Sequence, residues 1–103
     1  MFSLFTKVPS ISATDLKKKL TSAITLIDVR TPSEYQMGHI AKAKNVPLDQ
    51  IHMYNKKVQT IYVICQSGMR SAQAARILKK NGYDVINVQG GMNQWSGPIK
   101  GGK

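Results

Sequence analysis

The sequence predicts a small three-layer α/β domain, with a parallel sheet of four or five strands between layers of helix. Three observations carry this. Short β-branched runs alternate with helical segments along the chain, and such alternation implies right-handed parallel crossovers. The runs "ITLIDV" and "TIYVI" are nearly all apolar, as strands covered on both faces are. A length of 103 residues supports one hydrophobic core and not two. Residues 1–103 therefore read as one domain with its core over about residues 9–96. Residues 1–8 and "SGPIKGGK" after Trp95 read as loose ends.

Each element has its own signal. Ser12 caps a first helix over "SATDLKKKL", with Asp15 at the third helical position as the return partner of a capping box. Ala13, Leu16 and Leu20 share one face and three lysines the other. Residues 24–29 form a buried strand. In "TPSEY" Thr31 is the N-cap, Pro32 the first helical residue and Glu34 the third, so every position serves a helix start. "AKNV" before Pro47 gives a weak strand, and residues 48–57 hold a short helix after the proline. Residues 60–64 are the clearest strand. "SAQAARILKKNGY" is the clearest helix, beginning near Ser71, with Ala74, Ala75, Ile77 and Leu78 as its apolar stripe. Gly82 ends it in a left-handed conformation, and "DVINV" is the last strand.

Composition excludes several classes. The longest apolar run is the five residues "IYVIC", too short to cross a bilayer. The start "MFSLFTKVPS" has neither the apolar core nor the cleavage site of a signal peptide. One cysteine cannot close an intramolecular disulfide, which fits a reducing cytoplasm. The net charge of +10, with twelve lysines among the fifteen cations, attracts anions in general, although lysine doublets and triplets commonly only solubilise. Nucleic acid recognition asks for arginines and aromatics along one face, and the pattern lacks them. The expectation is a monomer without cofactor, nucleic acid or membrane partner.

The single cysteine ends a strand. "CQSGMR", residues 65–70, must turn from that strand into the following helix within a few residues. Gly68 allows backbone angles that larger residues resist, and a tight turn of this kind points successive N–H groups inward as an anion nest. The helix N-terminus adds unpaired N–H groups. A thiol at the centre of such a nest loses its proton easily, and Arg70 brings a guanidinium suited to an oxyanion. The plain alternative is a buried cysteine filling the core. No metal is expected, because Cys65, His39 and His52 have no recognisable ligand spacing.

Three segments together carry a family resemblance. "LIDVRTPSEYQMGHIAKAKNVPL" resembles the rhodanese-domain segment D-V-R-x-P-x-E-Y-x-x-G-H-I-x-x-A-x-N-(I/V)-P. "CQSGMRSAQAA" resembles that family's active loop C-x-x-G-x-R-(S/T), and "GYDVINVQGGMNQW" its closing segment. The matches run in order from about Ile11 to Trp95. The resemblance implies a stand-alone rhodanese-like sulfurtransferase in which Cys65 is the nucleophile. It would take sulfane sulfur from thiosulfate or a persulfide such as glutathione persulfide, and pass it to cyanide, a thiol or a sulfur-relay protein.

The same resemblance implies roles for neighbouring residues. Gln66, Ser67, Gly68, Met69 and Arg70 form the active-site loop, with Arg70 closing it and meeting the substrate oxyanion. Asp28 lies near the loop and helps hold it, or else caps the turn after its strand. Arg30 pairs with Glu34. His39 belongs to a structural turn, and Gly90, Gly91 and Trp95 make a tight turn and packing anchor near the site. Met53, Met69 and Met92 fill gaps or rim the site. Many thiosulfate-using relatives carry a cation directly after the cysteine, whereas this chain has Gln66. Weak thiosulfate activity is therefore expected, with a persulfide as the better donor. The rivals are a non-catalytic binding module and a cysteine phosphatase or arsenate reductase. The latter place five residues between Cys and Arg, and here there are four.

Overall fold

The computed structural model describes residues 7–103. Its sheet has five strands, all parallel, in the order β1-β5-β4-β2-β3. The strands are β1 (Ser10–Ser12), β2 (Thr25–Asp28), β3 (Ala43–Asn45), β4 (Thr60–Ile64) and β5 (Asp84–Gln89). Helices α1 (Ala13–Lys19), α2 (Pro32–Met37) and α3 (Met69–Lys80) alternate with them, and two 3₁₀ turns span Leu48–Met53 and Gly91–Gln94. No helix is long and apolar enough to cross a membrane among the described residues.

The central strand β4 shows why the domain has three layers. Its successive side chains go to opposite faces: Ile61, Val63 and then Cys65 join the core under α3 and the first 3₁₀ turn. Tyr62 and Ile64 join a second core with Leu16 of α1, Tyr35 of α2 and Trp95. Both cores are closed, with Ile61, Val63, Ile64, Leu16 and Leu78 at 0% exposure. Burying one such side chain contributes about 1.5–3 kcal/mol, so the β-branched run that predicts the strand also anchors the fold.

The helix starts follow the sequence closely. Thr31 and Glu34 form a full capping box, with Pro32 in the first turn. At α1, Ser12 accepts from the Asp15 N–H at 3.0 Å, while the Asp15 carboxylate goes to Lys18 at 3.6 Å rather than returning to the cap. Helix α3 begins at Met69, two residues before the expected Ser71, because Gly68 itself serves as N-cap in the left-handed region with φ +101°. The strand β1 was not foreseen.

The segment after Trp95, expected to hang loose, is pinned. His39 and Lys100 exchange backbone hydrogen bonds of 3.0 and 2.7 Å, and Gly102 N–H donates to the Gln36 carbonyl at 2.8 Å. The Trp95 indole N–H donates to the Pro98 carbonyl at 3.1 Å. Of the other expected loose end, residues 1–6 lie outside the described residues.

Candidate active site

Cys65 stands at the carboxyl end of β4, at 0% exposure, where open parallel sheets collect ligands. Its sulfur is the centre of the turn. Gly68 N–H donates to Sγ at 3.0 Å, and the buried Ser71 Oγ lies 3.3 Å away, accepting from the thiol. Burial pushes the Cys65 thiol up. Hydrogen bonds from the Ser71 hydroxyl and from the backbone N–H groups of Ser71, Gly68 and Ser67 outweigh it and hold the thiol below its ordinary value. The two readings left open by the sequence are therefore both met: the cysteine is buried and its site favours the thiolate.

A second turn templates the first. Met92 N–H donates to the Cys65 carbonyl at 2.8 Å and Asn93 N–H to the Gln66 carbonyl at 2.9 Å. With their carbonyls turned to Gly91–Gln94, these peptides leave the inward face of the loop to N–H groups. The approach is close enough that a Cβ on Gly91, at φ +56°, would sit 2.3 Å from the Cys65 carbonyl oxygen. Only glycine fits there. Gly90 and Gly91 thus make the tight turn the motif implies, with Trp95 half-buried beside it.

The charged residues are distributed differently from expectation. Arg30 does not pair with Glu34. It folds back on the fully buried Asp28, giving Nε at 3.0 and 3.1 Å and Nη2 at 2.8 Å to the carboxylate. Arg30 precedes the N-cap Thr31 and so lies outside α2. The i,i+4 geometry of a helix does not reach it, whereas Asp28, two residues back in extended chain, is on its side. Asp28 also accepts from the Arg30 backbone N–H at 3.0 Å, so it both caps the turn and supports the loop. The support runs through Arg30, whose Nη1 donates to Gln66 Oε1 at 3.2 Å.

Arg70 is the residue that takes Glu34. It makes a bidentate pair with Glu34, at 2.7 and 2.9 Å. The Arg70 hydrogen bond is the main reason the Glu34 carboxyl falls to about 2. Arg70 closes the loop by tying its end to α2. Gln66 is likewise engaged, its Nε2 donating to Asn93 Oδ1 at 2.7 Å. The Ser67 backbone helps to hold the Cys65 thiol down, and the residue is exposed.

His39 is structural, as expected: buried, stacked on Tyr35 at 3.6 Å between centroids, with Nδ1 2.7 Å from the Tyr35 carbonyl. The methionines fill fewer gaps than expected. Met69 and Met53 are 79% and 63% exposed, and of the three only Met92 packs on the core. Next to the loop lies a hollow of about 640 Å³. Arg30 and Gln66 line it on the polar side, and Met37, Met92, Trp95 and Ile99 on the apolar side. The sequence reading did not single out Ser71, Asn93, Met37 or Ile99. Ser71 occupies the last position of the quoted loop motif, and that was the available signal.

The comparisons with known proteins agree with this geometry. Residues 12–98 match the model of the rhodanese-like domain. The chain is 43% identical over 82 residues to the uncharacterised Bacillus subtilis protein YqhL, covering 76% of this chain and 65% of that one, so it spans less than two thirds of that relative's length. It is 33% identical over 95 residues to a sulfurtransferase of Allochromatium vinosum, covering 86% of this chain and 89% of that one. The crystal structure of a rhodanese-like domain protein from Staphylococcus aureus superposes with a TM-score of 0.82 at 36% identity, over 93% of this chain and all of that one. A loop centred on one cysteine sulfur, the parallel sheet that carries it and these matches place the chain in the rhodanese-like domain family.

Proposed function

We propose that the protein is a sulfurtransferase that carries sulfane sulfur on Cys65, with an organic persulfide as donor and a thiol as acceptor. The carrying observation is the 3.0 Å hydrogen bond from Gly68 N–H to Sγ, at the centre of a turn whose N–H groups converge on that sulfur. The Cys65 thiolate attacks the outer sulfur of the donor. A new Sγ–S bond forms, the donor's own S–S bond breaks, and the donor thiolate leaves with the electron pair. The acceptor thiolate then attacks the outer sulfur of Cys65–S–S⁻, and Cys65 departs as the thiolate. No general base is required, because the nest supplies the ionised nucleophile.

The choice of an organic donor rests on the charges. Thiosulfate is a dianion, and both arginines near the loop are already held, Arg30 by Asp28 and Arg70 by Glu34. The hollow beside Gln66, with Met37, Met92, Trp95 and Ile99 along it, suits the carbon skeleton of a thiol compound better than a small inorganic ion. Intact-mass measurement after incubation with glutathione persulfide tests the core claim. The protein gains one sulfur atom and Cys65→Ser gains none. Absence of the adduct with every donor tried points instead to a binding module. Faster turnover of thiosulfate than of glutathione persulfide at equal concentration rejects the donor assignment alone.

A further inference from the structure

The lysines are concentrated at one pole. In an all-parallel sheet with crossover helices, helix C-termini and strand N-termini share one end, and Cys65 stands at the other. Lys17, Lys18 and Lys19 fall in the last turn of α1, and Lys79 and Lys80 in the last turn of α3. Lys42 donates to the Leu20 and Ser22 carbonyls beyond α1. Tyr83, just past α3, donates to the Lys56 carbonyl at 2.7 Å. Lys42, Lys56 and Lys57 therefore join the same pole, with Lys44 beside them on β3. Asp15, Asp28, Glu34 and Asp49 sit in first helical turns or at a strand's end, toward Cys65. Asp84 alone starts a strand at the lysine pole.

Lysines in a helix's last turn answer the macrodipole, which accounts for those of α1 and α3. It does not account for Lys44, Lys56 and Lys57, which lie outside every helix. With Lys42 they border a groove of about 650 Å³ between the β2–β3 side of the sheet and the crossover that enters β4. Leu26, Val46, Tyr54 and Val58 supply apolar surface within it, and no carboxylate lines it among the described residues. The crossover wall is braced, since the Tyr54 and Tyr83 rings pack at 5.6 Å and Tyr83 holds the Lys56 carbonyl.

We propose that this groove binds an acidic, amphipathic peptide segment of a partner protein, its carboxylates on the lysines and its aliphatic side chains on the apolar floor. Charge complementarity selects an acidic ligand, and the apolar floor selects among acidic ligands. A flat anionic bilayer would gain nothing from a recess and would meet the exposed lysine triplet of α1 equally well. Nucleic acid favours the bidentate fork of arginine, and all four groove cations are lysines. The groove runs along the β2–β3 side of the sheet and no residue of the Cys65 loop lines it, so an occupant leaves the sulfur loop open. The inference does not depend on what Cys65 does.

The test is an anisotropy titration of the full chain with a dansyl-labelled peptide of alternating Glu and Leu. The expected result is saturable binding that weakens with salt, and that falls about tenfold or more when Leu is replaced by Ser in the peptide. Lys44→Glu/Lys56→Glu/Lys57→Glu is expected to weaken binding about tenfold or more. Lys17→Glu/Lys18→Glu/Lys19→Glu carries the same charge change on the same pole and is expected to weaken it less than about threefold. Circular dichroism checks that both variants are folded. Equal losses in the two variants would reduce the effect to general electrostatics and overturn the proposal. So would absence of binding, or tighter binding of phosphatidylglycerol vesicles or duplex DNA than of the peptide.

Discussion

The Ser71 hydroxyl oxygen lies 3.3 Å from the Cys65 sulfur and also donates to the Gly68 carbonyl at 3.2 Å. It accepts from the thiol, and it can turn to donate to the thiolate. A hydroxyl so placed favours ionisation of a sulfur that burial would otherwise keep neutral. Ser71→Ala removes this partner together with its hydrogen bond to the Gly68 carbonyl, and leaves the backbone N–H groups of the loop in place. The inflection in the pH dependence of iodoacetamide alkylation is expected to move upward. At neutral pH the alkylation rate should fall about tenfold, since hydrogen bonds to charged groups contribute on the order of 1.5–3 kcal/mol. An unchanged inflection in folded protein would assign the activation to the backbone N–H groups alone.

The Glu34–Arg70 pair makes a different prediction, on stability against pH. Its folded-state carboxyl is lowered from 4.5 to about 2, mainly by the Arg70 hydrogen bond. A depressed carboxyl contributes stability that is present above its unfolded value and lost as pH falls through the folded one. The contribution is therefore full above about pH 4.5 and gone near pH 2. Both side chains are about one-third exposed, so solvent screens the pair to about 0.5–1 kcal/mol. Urea denaturation of Glu34→Gln against the parent should show that difference at pH 7 and its disappearance near pH 2. A difference that persisted in acid would place the effect in the capping box, where Glu34 also serves Thr31.

How far the sequence reaches is clearest where it falls short. The β4 strand, the α3 stripe and the α2 cap are local patterns, and each stands where its pattern puts it. The strand β1 has only the three residues "SIS", partly exposed, and becomes a strand because β5 lies beside it. No local signal could supply that. The ion pairs failed for a related reason: Arg30, Glu34 and Arg70 allow more than one pairing, and only the fold brings Arg70, 36 residues along, to Glu34. The C-terminal bridge to His39 is likewise long-range. At the site, the loop and the cysteine at its centre were legible because a strand end, a glycine and a helix start adjoin in sequence. Its support from Asn93 was not, because that contact joins two separate turns.

Two glycines with similar backbone demands separate strain from collision. Gly82 has φ +100° and open space around its Cβ position, whereas Gly91 has φ +56° and the Cys65 carbonyl oxygen at 2.3 Å. Gly82→Ala meets only the left-handed penalty of about 1–2 kcal/mol and should leave alkylation of Cys65 unchanged. Gly91→Ala adds a backbone collision at the loop. It is expected to cost more in thermal stability and to shift the Cys65 alkylation profile. Matching stability losses with unaltered thiol reactivity in both variants would show that the Gly91–Gln94 turn does not template the loop.

Replacement of Gln66 tests the donor assignment from the side of the protein. Its amide bridges Arg30 and Asn93, so Gln66→Arg loses both contacts and places a second guanidinium beside Arg30. Two lost hydrogen bonds, one of them to a charged group, are worth about 2 kcal/mol, and a corresponding drop in thermal stability is expected. In exchange the loop gains a cation that is not held by a carboxylate. Thiosulfate, which holds both its charges on one compact ion, benefits more than glutathione persulfide does, whose carboxylates lie several bonds from the reacting sulfur, because the Coulomb gain falls with distance. Thiosulfate turnover in Gln66→Arg is therefore expected to rise about tenfold relative to turnover of glutathione persulfide, at about 1.4 kcal/mol for each factor of ten. The gain should shrink as salt is raised. A variant that accelerates both donors alike, or neither, would locate selectivity in the apolar hollow of Met37, Met92, Trp95 and Ile99 rather than in the charge of the loop.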